Sequence, residues 1–147
     1  MKIELSKKQY ENLLKLVYLG EWVINAHKTD DRMEKYEDIS SYIFSYAKKF
    51  GFGRYCDDES VGDGKYYPTR LFEEKTGVDQ FHDEYDEEIF WEELVDKMGQ
   101  LDFHRKYSKK EIKKMDKKEH FIKLYECIDK WGEETNKNGL DRLGIIK

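Results

Sequence analysis

The chain has 147 residues, of which 40% are charged and 15% aromatic; this is the size of one domain, and the aromatic content excludes an intrinsically disordered chain. Neither the opening stretch Met1 to Lys8 nor any later segment has the apolar run of a signal peptide or a membrane span, so a soluble cytoplasmic protein with no membrane partner is expected. The net charge of -5 is uneven, +2 over residues 1–56, -12 over 57–96 and +5 over 97–147, which disfavours nucleic acid as a partner and points to a contact of opposite sign.

The first helix is the best signed. Ser6 and Gln9 have capping-box spacing, and Leu5 and Tyr10 stand at the positions of a hydrophobic staple, so it begins at Lys7. Tyr10, Leu13, Leu14, Val17 and Ile24 form one apolar arc, and Leu16, Leu19 and Val23 a second that joins it through Gly20. The combined arc is wider than the ~100° stripe of a helix with one buried face. This predicts either the central helix of the fold or a helix covered on its far side by a second chain. A glycine costs about 1 kcal/mol in a helix interior, and Gly20 is consistent with close approach of another backbone.

A second helix is predicted from near Asp31 to Phe50 with Tyr36, Ile39, Ile43, Ala47 and Phe50 inside, stopped by Gly51 and Gly53. Residues 51–70 carry no helical period and hold the only proline, Pro68; a hairpin pairing Arg54-Tyr55-Cys56 with Lys65-Tyr66-Tyr67 would give this long segment structure. Thr69 caps a short helix through Lys75, closed by Gly77. Asp86 is placed to cap the next helix, with Phe90, Trp91, Leu94, Val95, Met98 and Leu101 as its buried face. Ser108 and Glu111 repeat the capping box, flanked by the staple pair Tyr107 and Ile112. The helix that follows shows Phe121, Leu124, Tyr125, Ile128 and Trp131 at helical period and frays near Gly132. The tail Leu143-Gly144-Ile145-Ile146 is strand-like and could pair with Lys2 to Leu5. The expected fold is one all-α domain over 1–147, a bundle of about four main helices around the N-terminal helix, with a minor β element at 51–70 or at the termini.

Cys56 and Cys127 stand far apart and read as reduced thiols. The stretch His82 to Glu88 mixes imidazole with carboxylates but lacks the repeated Glu-x-x-His of helical metal centres, and no metal or cofactor is expected. From Asp57, a calcium loop would need an oxygen ligand where Val61 stands and a glutamate where Pro68 stands. His27 precedes Thr29-Asp30-Asp31, and His120 lies a helical turn after Asp116; each could be an oriented base, and each is also what a helix end produces. The basic run from Arg105 to Lys118 is interrupted by acids and reads as a solvated face. No nucleophile elbow or phosphate loop is present, so an enzyme is disfavoured.

Three functions are compatible with these residues. The leading one is a non-enzymatic helical interaction module, homodimeric through Leu16, Leu19 and Val23. The second is an enzyme or small-ligand binder whose pocket joins the 51–70 loop to the start of the third helix through Tyr55, Asp57, Asp58, Tyr66, Tyr67 and His82, since binding residues concentrate on loops and tyrosines at hot spots. The third is a regulator whose acidic block imitates nucleic acid.

Overall fold

The computed structural model describes residues 3–57 and 62–144. Its elements are α1 (Lys7–Asn25), α2 (Glu34–Phe44), two short 3-10 turns (Ala47–Phe50 and Gly53–Tyr55), β1 (Cys56–Asp57), β2 (Tyr67–Pro68), α3 (Arg70–Thr76), α4 (Asp79–Lys106), α5 (Lys109–Ile112) and α6 (Lys117–Asn138). The fold is all-α with a two-stranded antiparallel sheet in which Cys56 faces Pro68 and Asp57 faces Tyr67. A strand pair is thus present in the 51–70 loop, but not the one expected: the strands are Cys56–Asp57 and Tyr67–Pro68 rather than 54–56 and 65–67, a register shifted by three residues. The pairing proposed for the termini involves Lys2, Ile145 and Ile146, which lie outside the described residues. Among the described residues no helix is long and apolar enough to cross a membrane.

The chain divides into two compact units, 1–83 and 84–147, the division falling inside α4. In the first unit, α1 begins as its local signals require. Ser6 Oγ accepts from the Gln9 amide while Gln9 Oε1 accepts from the Ser6 amide at 2.9 Å, so two amides that the helix cannot satisfy are bonded reciprocally. Behind this start lies the core of Tyr10, Leu14, Phe44, Ala47, Phe72 and Val78, with Leu5, Leu13 and Leu19 packed against it. The Tyr10 ring stacks on Phe50 at 4.0 Å, and its hydroxyl donates to the Ile43 carbonyl at 2.6 Å. Phe44, Tyr18 and Tyr55 all meet the Phe72 ring edge to face at 5.4 to 5.7 Å, contacts worth about 0.5–1.5 kcal/mol each beyond area burial. Burial holds the Tyr10 hydroxyl far above the usual tyrosine range, reinforced by the nearby Cys56.

The predicted second helix is shorter than expected, and only part of its expected inner face is covered. It ends at Phe44, and the chain continues as a 3-10 turn over Ala47–Phe50, closed by Gly51 in the left-handed region at φ 80°. Ser40, Phe44 and Ala47 are buried, whereas Tyr36 and Ile39 are exposed. Asn25, fully buried, ties the α1–α2 connection: its Oδ1 accepts from the Met33 amide at 2.8 Å and its Nδ2 donates to Glu21 at 2.9 Å. Thr69 and Gly77 bound α3 as predicted, the Thr69 hydroxyl accepting from the Phe72 amide and Gly77 standing at φ 62°.

The helix expected to start at Asp86 starts instead at Asp79, which leaves Asp86 inside α4. In the second unit, α4 and α6 approach each other at Gly99 and Ile128. Gly99, Phe103, Cys127 and Thr135 take the buried positions, while Phe90, Leu101, Phe121 and Tyr125, assigned to buried faces from periodicity, are exposed. The Trp131 indole donates to Asp102 Oδ2 at 2.9 Å. Ser108 and Glu111 form the predicted capping box, but it opens only the four-residue α5. The long helix α6 has its own cap, Asp116, whose carboxylate accepts from the Glu119 amide at 2.8 Å. It passes through Gly132 and ends at Gly139, φ 55°.

Candidate interaction faces and loop groove

The described residues of the 51–70 segment are tied by bonds that reach back to α2 and across the two strands. The Tyr66 amide donates to Ser41 Oγ at 2.8 Å, Lys65 Nζ meets Asp38 at 2.8 Å, and the Thr69 hydroxyl donates to the Arg54 carbonyl at 2.8 Å. Tyr67 donates its hydroxyl to Asp63 Oδ2 at 2.6 Å, and Asp63 Oδ1 accepts from the Lys65 amide at 2.9 Å. These bonds hold the Asp63 carboxyl below its ordinary range, the Tyr67 hydroxyl contributing most, and the same bond raises the Tyr67 hydroxyl. Asp57 pairs with Tyr67 in the sheet; Asp58 lies outside the described residues.

Tyr55 stands at the other side of this segment, stacked on Phe52 at 5.2 Å. It lines an open groove of about 510 Å³ with Gly51, Phe52, Gly53, Arg54, Leu71 and Lys75. Lys7 Nζ lies 4.9 Å from the centre of the Phe52 ring, a cation held over an aromatic face at the groove's edge.

His82 lies beyond Phe72 and Tyr18 from Tyr55. Its ring stacks on Trp22 at 4.0 Å with 14° between planes, and on Tyr18 at 5.5 Å. Its Nδ1 is 4.0 Å from Asp79 Oδ1, while its buried Nε2 has no hydrogen-bonding group within reach among the described residues. The Tyr18 hydroxyl donates to Glu73 Oε1 at 3.0 Å and faces Asp79 at 3.4 Å. Burial first, then Glu73 and Asp79, push this hydroxyl well above the ordinary tyrosine range, which makes it a fixed donor and a poor base. His82 makes no ring contact, hydrogen bond or ion pair with Tyr55, Tyr66 or Tyr67. Tyr55 is connected to His82 only indirectly, through Phe72 and Tyr18.

The other imidazoles have plain surroundings. Asp116 spends its carboxylate on the α6 cap, and the His120 ring lies edge-on to Phe103 at 5.0 Å. Asp31, near His27, faces Lys28 at 3.7 Å. Among the described residues no group of three or more His, Cys, Asp and Glu side chains is placed to hold a metal ion.

On α1 the second apolar arc separates into two parts. Leu19 packs against the core, whereas Leu16 and Val23 are 67% and 59% exposed. Gly20 lies between them on the same face, and a Cβ built there meets nothing within 4 Å. No protein-family model matches the chain, and no curated protein and no solved structure matches it.

Two groups of residues escaped sequence reasoning. Trp22, Tyr18 and Glu73 around His82 are brought together from α1, α3 and α4, and no local pattern announces that stack, unlike Asp79, which stands three residues before His82. The groove's Phe52 and Arg54 could have been suspected from one signal: the run Phe52-Gly53-Arg54-Tyr55, which sets two aromatics and a cation between Gly51 and the strand that follows.

Proposed function

We propose that this protein is a non-catalytic helical interaction module that self-associates through the exposed face of α1. The observation that carries the reading is the strip Leu16, Gly20, Val23: two large apolar side chains held mostly in water, with an uncovered glycine between them. A helix-interior glycine costs about 1 kcal/mol, and Gly20 returns nothing to its own chain, because no neighbour approaches it. In a symmetric helix pair the same glycine admits the partner backbone while Leu16 and Val23 flank it, and isologous two-fold pairing is the commonest assembly of soluble chains. The part-exposed edge of Leu19 borders the strip, with most of its side chain committed to the core.

The catalytic alternative has less support. A catalytic pocket needs the loop tyrosines to face His82, but Tyr55 reaches it only through the Phe72 and Tyr18 rings and Tyr67 is bonded to Asp63. The test is methyl NMR across a dilution series. Leu16 and Val23 methyl signals should move with protein concentration while those of buried Leu14 stay fixed; resonances of Leu16 and Val23 that ignore concentration refute the reading.

A further inference from the structure

The groove beside Tyr55 has a chemistry that the α1 face lacks. Its floor is apolar, with Phe52 and Tyr55 stacked on one another and Leu71 completing it. Its rim is cationic: Arg54 and Lys75 line it and are exposed, and Lys7 sits over the Phe52 ring. Among the described residues no carboxylate lines the groove, and Lys7, Arg54 and Lys75 form no ion pair with a carboxylate. Elsewhere in this unit cations are commonly matched, as Arg32 is by Glu21 and Glu37 and Lys65 by Asp38. Three unmatched cations around an aromatic floor are complementary to an anionic ligand that also carries an apolar group.

We infer that this groove binds an acidic peptide segment, its carboxylates on Arg54, Lys75 and Lys7 and one aromatic or aliphatic side chain on the Phe52–Tyr55–Leu71 floor. The groove's openness decides for a peptide over a small metabolite, since small-ligand sites enclose most of the ligand surface. A nucleic acid is a poorer fit, because its phosphates would run beyond three cations onto a chain of net charge -5. The inference is independent of self-association and survives if the α1 face proves inert.

Fluorescence anisotropy with a labelled octapeptide of Asp and Glu around a central Phe-Leu pair tests it, using the full chain. Saturable binding is expected. It should weaken about tenfold or more in an Arg54→Glu, Lys75→Glu double variant and fall with added salt. Both side chains are exposed, so circular dichroism of the variant should match the parent; Arg54→Ser with Lys75→Ser gives the same comparison without charge reversal. A peptide with Ser in place of Phe-Leu should bind more weakly, and one with Lys in place of the acids should not bind. Absence of saturable binding, equal binding by the double variants, or tighter binding of a labelled oligothymidylate would overturn the assignment.

Discussion

Gly99 and Ile128 are in contact across α4 and α6 so closely that a methyl group on Gly99 would lie 2.5 Å from Ile128 Cγ1, 2.7 Å from its Cα and 2.9 Å from its amide nitrogen. A rotamer change moves Cγ1 but not the Cα or the nitrogen, so only separation of the helices relieves the clash. Gly99→Ala gains about 1 kcal/mol of helix propensity and loses more through overpacking, which costs about 1–3 kcal/mol. Urea unfolding should show a net loss of about 1 kcal/mol; a variant as stable as the parent would mean that the two helices are free to part.

Gly20 is the control for that argument, because nothing stands within 4 Å of its would-be Cβ. Gly20→Ala should therefore raise the stability of the dilute protein by about 0.5–1 kcal/mol. Under the proposed function it should also weaken self-association, since the added methyl pushes the partner helix away. Stability and association moving in opposite directions is the expected pair of results; a variant that loses stability on dilution contradicts the open environment of Gly20.

His82 offers a substitution with a sign that separates stacking from hydrogen bonding. Its ring lies on Trp22, and its buried Nε2 has no protein partner among the described residues. Leaving such a group unpaired costs about 1–3 kcal/mol, so His82→Phe, which keeps the stack and removes the nitrogen, should match or exceed the parent by about 1 kcal/mol. His82→Ala should lose about 2 kcal/mol or more, because it empties the ring's place. A clear loss in the Phe variant, measured by thermal unfolding, would show that the nitrogen is bonded.

Asp63 predicts a pH dependence. Its folded carboxyl titrates below the ordinary 3.8, chiefly because Tyr67 donates a hydrogen bond to the charged form. A group with a lowered folded value adds stability above its unfolded value and loses it as pH falls through the folded one. The hairpin should thus weaken as pH drops below about 4. In a carboxyl NMR titration Asp63 should have a midpoint under 3.8, and Tyr67→Phe should move it upward; an unmoved midpoint would show that the hydroxyl is not its partner.

What could be read from sequence alone follows the range of the forces involved. The start of α1 and both ends of α3 were legible because Ser6 with Gln9, and Thr69 with Gly77, act within one or two turns. The Ser108–Glu111 box was equally legible, yet it marks where a helix starts and says nothing of its length, so the four residues of α5 came as a correction. The buried faces of α2, α4 and α6 were legible only in part: Ala47 is buried and Ile128 meets Gly99, but Tyr36, Ile39, Phe90, Leu101, Phe121 and Tyr125 are exposed while Ser40, Gly99, Cys127 and Thr135 occupy inner positions. Small residues let helices approach, and a period counted on large apolar residues passes over them. Little of the candidate site was legible: of the six residues expected there, Tyr55 alone among those described lines the groove. Leu71 and Lys75 reach it from α3, a juxtaposition set by tertiary packing.

Sedimentation equilibrium of the parent beside Leu16→Glu with Val23→Glu, at physiological and at high salt, tests the proposed self-association most directly. Both side chains are mostly in water, so the double variant should keep its helicity. Apolar burial is not weakened by salt, whereas exposed charge contacts are screened within about 8 Å at physiological ionic strength. The parent should sediment as a dimer at both salt concentrations and the double variant as a monomer. A parent that is monomeric throughout, or a dimer that the double variant leaves intact, would contradict the assignment of α1 as the contact face.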